Sequence, residues 1–350
     1  MKKRLIRAIS IALALCMSLS LVACGGGNQS DNSPSGSITA TSGSQGSGTS
    51  YKGQWIRNTS SSMGGIWYPI AVAMNLIWEE NLNGISCKVV TGSSTENVRL
   101  VAKSETEVGW AHSVAIADAF DGIAPYDDGG DYSNIGHLAA IHPAAIHVFA
   151  SKSSGITSLA DLNGKNIGFG SAGSTSTVVA MQLLEQEYGI TEESIVAAGG
   201  TVAYSSNSDA ITMLQDRQLD VYFSQSTYPS TDIAELETEL TLVPIDQDKL
   251  EDFLASNDKW LPCTIPGGTY TNQPNDYQTL TSYVVCAVPL SMDEQQAYDM
   301  TKSMWENVQQ IWDASADAKA FMSLDMATVC KDVVPLHPGA ERYYKEVGVL

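Results

Sequence analysis

The chain has 350 residues, with 19 Lys+Arg against 39 Asp+Glu, a net charge of -20. An acidic surface of that size disfavours nucleic acid, and it disfavours lying against anionic lipid through a basic patch. Arginine is scarce after the first few residues, with only Arg57, Arg99, Arg217 and Arg342, so any bound anion must rely largely on backbone N–H groups.

Lys2, Lys3, Arg4 and Arg7 precede an apolar run from Ile9 to Val22. A basic start, a short apolar core and small residues before a cleavage point predict a secretory signal over 1–23. The run is shorter than the roughly 20 residues that cross a bilayer. Leu21-Val22-Ala23-Cys24 resembles a bacterial lipobox, which implies that Cys24 is acylated and becomes the new N-terminus. Residues 24–52 are dominated by Gly and Ser, with too little apolar surface to offset chain entropy, and predict a flexible tether. An exported, lipid-anchored protein on the outer face of a cell membrane is therefore expected.

About 300 residues remain, a length that usually means two domains. Gln54–Arg57 reads as a strand, 58–65 as a Ser/Gly loop, and Tyr68, Val72, Leu76 and Ile77 as one face of a helix ending at Asn83-Gly84. A strand over 85–90, a loop and helix cap over 91–97, and a short helix follow. Next come a strand over 108–111 and a helix over 113–120. The pattern restarts with a strand over 146–150, a short helix and turn over 158–165, and a strand over 166–170. A second Ser/Gly loop, 171–175, opens a helix that reaches Tyr188, with Gly189 as its C-cap. Val202–Tyr204 continues the sheet, then a helix through Leu214, a strand over 220–223, and a helix from Asp232 to Leu236. One last apolar strand is expected over Tyr283–Pro289, then helices over 293–312 and 316–322 and a tail through Tyr343-Tyr344.

Strands alternating with helices predict α/β architecture with parallel sheets. The two restarts predict two lobes: 53–147 with 283–350, and 148–282, the chain crossing between them twice. In open α/β sheets, ligands bind beyond the carboxyl ends of the strands. Ser62, Gly64, Gly65 and Tyr68 lie on the first such loop, and Ser94 and Asn97 on the next. His112 and Ser113 follow a strand, while Ser171, Gly173, Ser174 and Thr175 form the second Ser/Gly loop. Tyr204 and Tyr228 sit beside later loops. All of these are candidate ligand contacts. Helix starts leave N–H groups unpaired and carry a partial positive charge, so two facing starts suit a carboxylate, and a dicarboxylate better. The competing reading is that Ser and Thr merely cap their own helices.

No enzyme signature assembles. There is no H-E-x-x-H, no G-x-S-x-G and no P-loop lysine, and Gly168-Phe169-Gly170-Ser171-Ala172-Gly173 lacks the acidic partner that a dinucleotide fingerprint needs. His142, Pro143 and His147 fall at the lobe crossover, where a structural role is expected. Cys87, Cys263, Cys286 and Cys330 are widely spaced, with no metal-site pattern. They read as buried thiols or as one or two disulfides. No cofactor or metal is expected, and the protein should be a monomer.

Several motifs in this order are similar to those of the TAXI family, the extracytoplasmic solute-binding subunits of TRAP transporters. They are Gly64-Gly65-Ile66-Trp67-Tyr68-Pro69, Thr91-Gly92-Ser93-Ser94-Thr95-Glu96-Asn97, Ser154-Gly155-Ile156 with 159–165, Gly170–Thr175, Ile265–Tyr270, and His337-Pro338-Gly339-Ala340 with Tyr343-Tyr344. The resemblance spans 54–348. It implies a two-lobe periplasmic-binding-protein clamshell of type II, each lobe a mixed, mostly parallel sheet flanked by helices. It further implies a small solute such as glutamate or a related dicarboxylate, delivered to a TRAP membrane subunit. Two stretches depart from the family pattern, Ile66-Trp67 before Tyr68 and Ala111-His112-Ser113, and both fall on candidate loops. A receptor for an ABC importer is the alternative within the binding class, and an anchored extracytoplasmic enzyme the alternative outside it.

Overall fold

In the computed structural model, residues 49–231 and 239–350 are described. The leader, Cys24, most of the tether and the helix expected from Asp232 lie outside them. The tether's far end belongs to the fold: Tyr51 is buried in the core, and its hydroxyl donates to Asp299 Oδ2 at 2.6 Å.

The chain opens with β1 (Gln54–Thr59), α1 (Trp67–Asn81), β2 (Ile85–Val90), α2 (Ser94–Ala102), β3 (Val108–His112) and α3 (Ser113–Phe120). The long strand β4 (Ile135–Ser151) follows. Then come β5 (Asn166–Phe169), α4 (Thr175–Tyr188), α5 (Glu192–Ala197), β6 (Thr201–Tyr204), α6 (Asn207–Gln215) and β7 (Val221–Ser226). After these lie β8 (Leu240–Leu242), α7 (Gln247–Ser256), β9 (Leu261–Ile265) and a second long strand, β10 (Tyr277–Pro289). The chain finishes with α8 (Glu294–Glu306), α9 (Val308–Ala314), α10 (Ala316–Phe321) and α11 (Pro338–Glu346). The helix expected over 293–312 is broken at Asn307, which closes α8 and opens α9.

The strands form one hydrogen-bonded path, β2-β1-β3-β10-β4-β7-β5-β6, with β8 beside β4 and β9 beside β10. β1 is parallel to β2 and β3, and β5 is parallel to β6 and β7. β10 runs antiparallel to β3, β4 and β9, and β4 antiparallel to β7 and β8. The sheet is therefore mixed. Its two parallel ends are joined by the antiparallel pair β4 and β10.

Period-two alternation sorts the core. On β10, Val284, Cys286 and Val288 join the apolar cluster around α1 and α8, while Tyr283, Val285 and Ala287 join the one around α2 and α3. Further along β4, Ile146, Val148 and Ala150 pack with α4, and Ala145 and Phe149 with α6. Helices thus cover both faces at both ends of the sheet. The four cysteines are free thiols, three of them buried, which settles the disulfide alternative for them.

β4 buries three histidines, His137, His142 and His147. Their Nδ1–H groups donate to the carbonyls of Pro335, Pro143 and Ala145 at 3.1, 2.9 and 3.0 Å. His147 Nε2 is 2.9 Å from the Tyr270 hydroxyl, which donates to it. These bonds bear on the structural role expected for the crossover: each ring anchors backbone. Burial pushes His137 and His147 down to about 4, and His142 down as well. Below the ordinary histidine value of 6.5 the unfolded chain binds these protons and the native protein does not. Their contribution to stability is complete above about pH 6.5 and is lost as pH falls toward 4. Urea unfolding should show a lower midpoint at pH 5 than at pH 7, with about 1.4 kcal/mol lost per pH unit for each proton taken up. An equal midpoint at both values would contradict neutral burial of these rings.

Candidate functional site

The loops that follow β1, β3, β5, β6 and β7 all leave carboxyl ends of strands. After β1, Gly65 N donates to Ser62 O at 2.9 Å, and Tyr68 N to Gly65 O at 3.3 Å. α1 then begins with Ile66 as N-cap and no side-chain cap. Among the described residues, no acceptor meets the Ile66 and Trp67 amides. Ser62 and Gly64 are exposed around this open helix end, and Gly65 and Tyr68 are half-buried. The close approach at Gly65 is internal, since a Cβ there would stand 2.4 Å from Ser61 Oγ.

α4 starts differently. Ser174 Oγ accepts from Thr177 N and shares hydrogen bonds with Ser176 Oγ and Thr177 Oγ1, so this helix carries its own cap. Ser171 supplies a carbonyl to Thr177 Oγ1. Gly173 holds φ +74°, a left-handed conformation that favours glycine. Gly173 and Thr175 line a cavity of about 340 Å³ between α4 and the α2–α3 corner, together with Thr95, Asp118, Tyr126 and Lys259. Lys259 Nζ bridges Asp118 Oδ1 at 2.9 Å and Asp121 Oδ2 at 2.7 Å. Burial opposes that charge, but the two carboxylates prevail and hold Lys259 above the ordinary lysine value.

His112 ends β3, half-buried, with its ring edge-on to Trp67 at 5.5 Å. Its Nδ1 lies 3.2 Å from Ser282 Oγ on β10, which Gln225 Nε2 of β7 also reaches at 2.9 Å. Burial, and then the repulsion from His142 that protonating both rings would bring, push His112 down to about 4, so the ring is neutral at pH 7. Tyr228, half-buried beyond β7, meets Phe321 of α10 edge-on at 5.0 Å. Trp67, His112, Ser282 and Gln225 thus draw β3, β10 and β7 together beside the open start of α1.

A family model described as the NMT1-like family matches residues 59–348. The chain belongs to that family. It is the TAXI-type substrate-binding family of TRAP transporters. Among solved structures, the chain is similar to a TctC solute-binding protein from Polaromonas, at 12% identity and a TM-score of 0.53, over 86% of this chain and 100% of that one. PhnD1 from Prochlorococcus marinus, solved in complex with methylphosphonate, matches at 13% identity and a TM-score of 0.47, over 85% and 99%. The fold is the type II periplasmic-binding-protein fold, and this NMT1-like protein is an extracytoplasmic solute-binding receptor of a transporter rather than an enzyme. Among the described residues, no helix is long and apolar enough to cross a membrane.

Several expected contacts are spent inside this NMT1-like fold. Asn97 is fully buried, and its Nδ2 donates to the carbonyls of Thr59, Ser60 and Trp110 at 3.1, 3.0 and 2.8 Å, clamping β1 to β3. Ser94 Oγ accepts from His112 N, and Ser113 Oγ from Tyr283 N. Tyr204 stacks on Phe169, and its hydroxyl donates to Glu192 on α5. Sequence reasoning missed Gln225, Ser282, Phe321 and Lys259, which belong to no motif. Trp67 was visible only as a departure from the family pattern. Asn97→Ala should leave three buried carbonyls short of a donor and lower the unfolding free energy by roughly 1–3 kcal/mol in urea titration. Unchanged stability in that variant would remove the clamp.

Proposed function

We propose that the protein captures a small carboxylate, such as glutamate or a related dicarboxylate, and delivers it to the membrane subunit of a TRAP transporter. In this reading, residues 53–147 with 283–350 form one lobe and 148–282 the other. The lobes close on the solute about β4 and β10, and acylated Cys24 tethers the monomeric receptor outside the cell membrane. The reading rests above all on the uncapped start of α1. It is a helix of 15 residues set at the carboxyl end of β1, and among the described residues the Ile66 and Trp67 amides at its start have no partner. Such an end favours an anion.

The charges nearby support N–H recognition. Lys259 is held by two aspartates, and Arg99 lies over the Tyr126 ring and 3.7 Å from Asp128. Neither cation is free to take a carboxylate, which favours recognition by neutral N–H donors. Charge-assisted bonds contribute roughly 1.5–3 kcal/mol each. Micromolar binding needs ~8 kcal/mol net of association costs, so these bonds must act together with the contacts made as the lobes close. Ser62, Gly64, Gly65, Tyr68 and His112 would contact the solute from one lobe, and Ser171, Gly173, Thr175 and Tyr228 from the other.

Denaturing freshly purified protein and analysing the released small molecules by mass spectrometry should recover a carboxylate, unaltered and near one per chain. The same compound, returned at about a hundred times its Kd, should stabilise the protein by about 2.7 kcal/mol and raise its Tm accordingly. If no carboxylate is released, and L-glutamate and 2-oxoglutarate both leave the Tm unmoved at millimolar concentration, the proposed solute class is wrong.

A further inference from the structure

His112, Ser282 and Gln225 stand on β3, β10 and β7, three strands from different stretches of the chain, yet they form one hydrogen-bonded string. Its direction can be read from what each atom is able to do. Gln225 Nε2 faces two oxygens, Ser282 Oγ at 2.9 Å and the Ala144 carbonyl at 3.4 Å. A carbonyl only accepts, so the atom facing it is the amide nitrogen, and the Gln225 side chain is fixed as donor to Ser282. Ser282 is fully buried, out of reach of water. Its own hydroxyl proton needs an acceptor, and the one side-chain atom within range is His112 Nδ1 at 3.2 Å. The opposite polarity would leave a buried hydroxyl proton with no partner, which native structures avoid.

Nδ1 of His112 therefore accepts, and a neutral ring carries its proton on Nε2. Among the described residues, no partner meets Nε2. The ring's main-chain N–H is tied to Ser94 Oγ at 3.1 Å, and its edge is held by Trp67. It is thus fixed in place beside the open start of α1.

We propose that Ser282 and Gln225 are positioning residues that lock His112 in its Nε2–H tautomer, so that the site offers a solute oxygen one neutral, pre-aimed N–H donor. This rests on the reading that the solute binds at these strand ends, and it adds a donor that is neither a backbone amide nor a charged side chain. Such a donor suits a carbonyl, hydroxyl or carboxylate oxygen, and it costs no cation in a site whose lysine is already paired.

The test uses the full mature chain with ring-¹⁵N histidine, whose nitrogen shifts report which atom holds the proton. His112, assigned by its loss in His112→Asn, should show an unprotonated Nδ1 and a protonated Nε2 in the absence of solute. Ser282→Ala should mix the two tautomers, and Ser282→Thr, which keeps the hydroxyl, should restore the single one. In calorimetry with L-glutamate, His112→Asn, which removes the ring donor, should bind roughly tenfold more weakly, the loss expected for one charge-assisted hydrogen bond, whereas Ser282→Ala, which divides the ring between two tautomers, should lose about twofold. Ser282→Thr should bind as wild type does. A wild-type proton on Nδ1, or a tautomer unmoved in Ser282→Ala, overturns the lock. A His112 Nε2 shift unmoved on saturation with L-glutamate overturns its role toward the solute. If the Nε2–H tautomer is found but wild type gives no heat with L-glutamate, the lock stands and L-glutamate is excluded as the solute.

Discussion

The antiparallel pairing of β4 with β10 is the constraint on which the rest of the molecule depends. Both strands run the length of two apolar cores, and nearly every residue in them is buried. Each strand must satisfy its neighbours on both sides while its side chains fill layers on both faces. That requirement explains a near-continuous apolar composition, broken by histidines whose ring nitrogens bond to main-chain carbonyls. It also explains where Pro143 is tolerated. The residue lies opposite Tyr283, next to a register shift in the β4–β10 ladder, and a proline inside a sheet needs such an irregularity.

The two ends of the sheet meet around this pair, and the candidate site inherits its polarity from it. Parallel strands on either side deliver their carboxyl ends, with the following loops and helix starts, to a common region. Those helix starts are chemically unequal. Ser174 and Ser93 cap α4 and α2, whereas α1 begins with no cap at all. An anion would find its unpaired amides at α1, while the α4 loop contributes shape through Gly173 and Thr175. The Asp118–Lys259–Asp121 bridge ties the two sides together beside the cavity.

Much of the architecture was legible because strand, Ser/Gly loop and helix recur with clear changes of period. Gln54–Arg57, the extent of α1 and the Gly189 cap were read within a few residues, but not the buried face of α1: Val72 and Leu76 are exposed, and Ile70, Met74, Ile77 and Trp78 fill the core instead. The long strands were not. Only 146–150 and 283–289 stood out, because a strand buried on both faces shows no alternation, and His142 and Pro143 were read as a lobe crossover. β8, α7 and β9 were also missed, being short or weakly patterned. Within the site, residue type pointed to the right loops, but tertiary contacts decided the roles. Asn97 clamps strand ends, Ser94 and Ser113 brace β3 and α3, and Tyr204 turns to Glu192. Nothing local to Ser282 or Gln225 marks them. They matter because the topology brings β3, β10 and β7 side by side.

The central claim is that two lobes joined through β4 and β10 close on a solute held at the strand ends. Small-angle X-ray scattering of the mature chain, alone and then saturated with the compound recovered from it by mass spectrometry, tests this most directly. Closure of the lobes predicts a smaller radius of gyration at saturation, with mass unchanged. A scattering profile identical with and without the bound compound would contradict it.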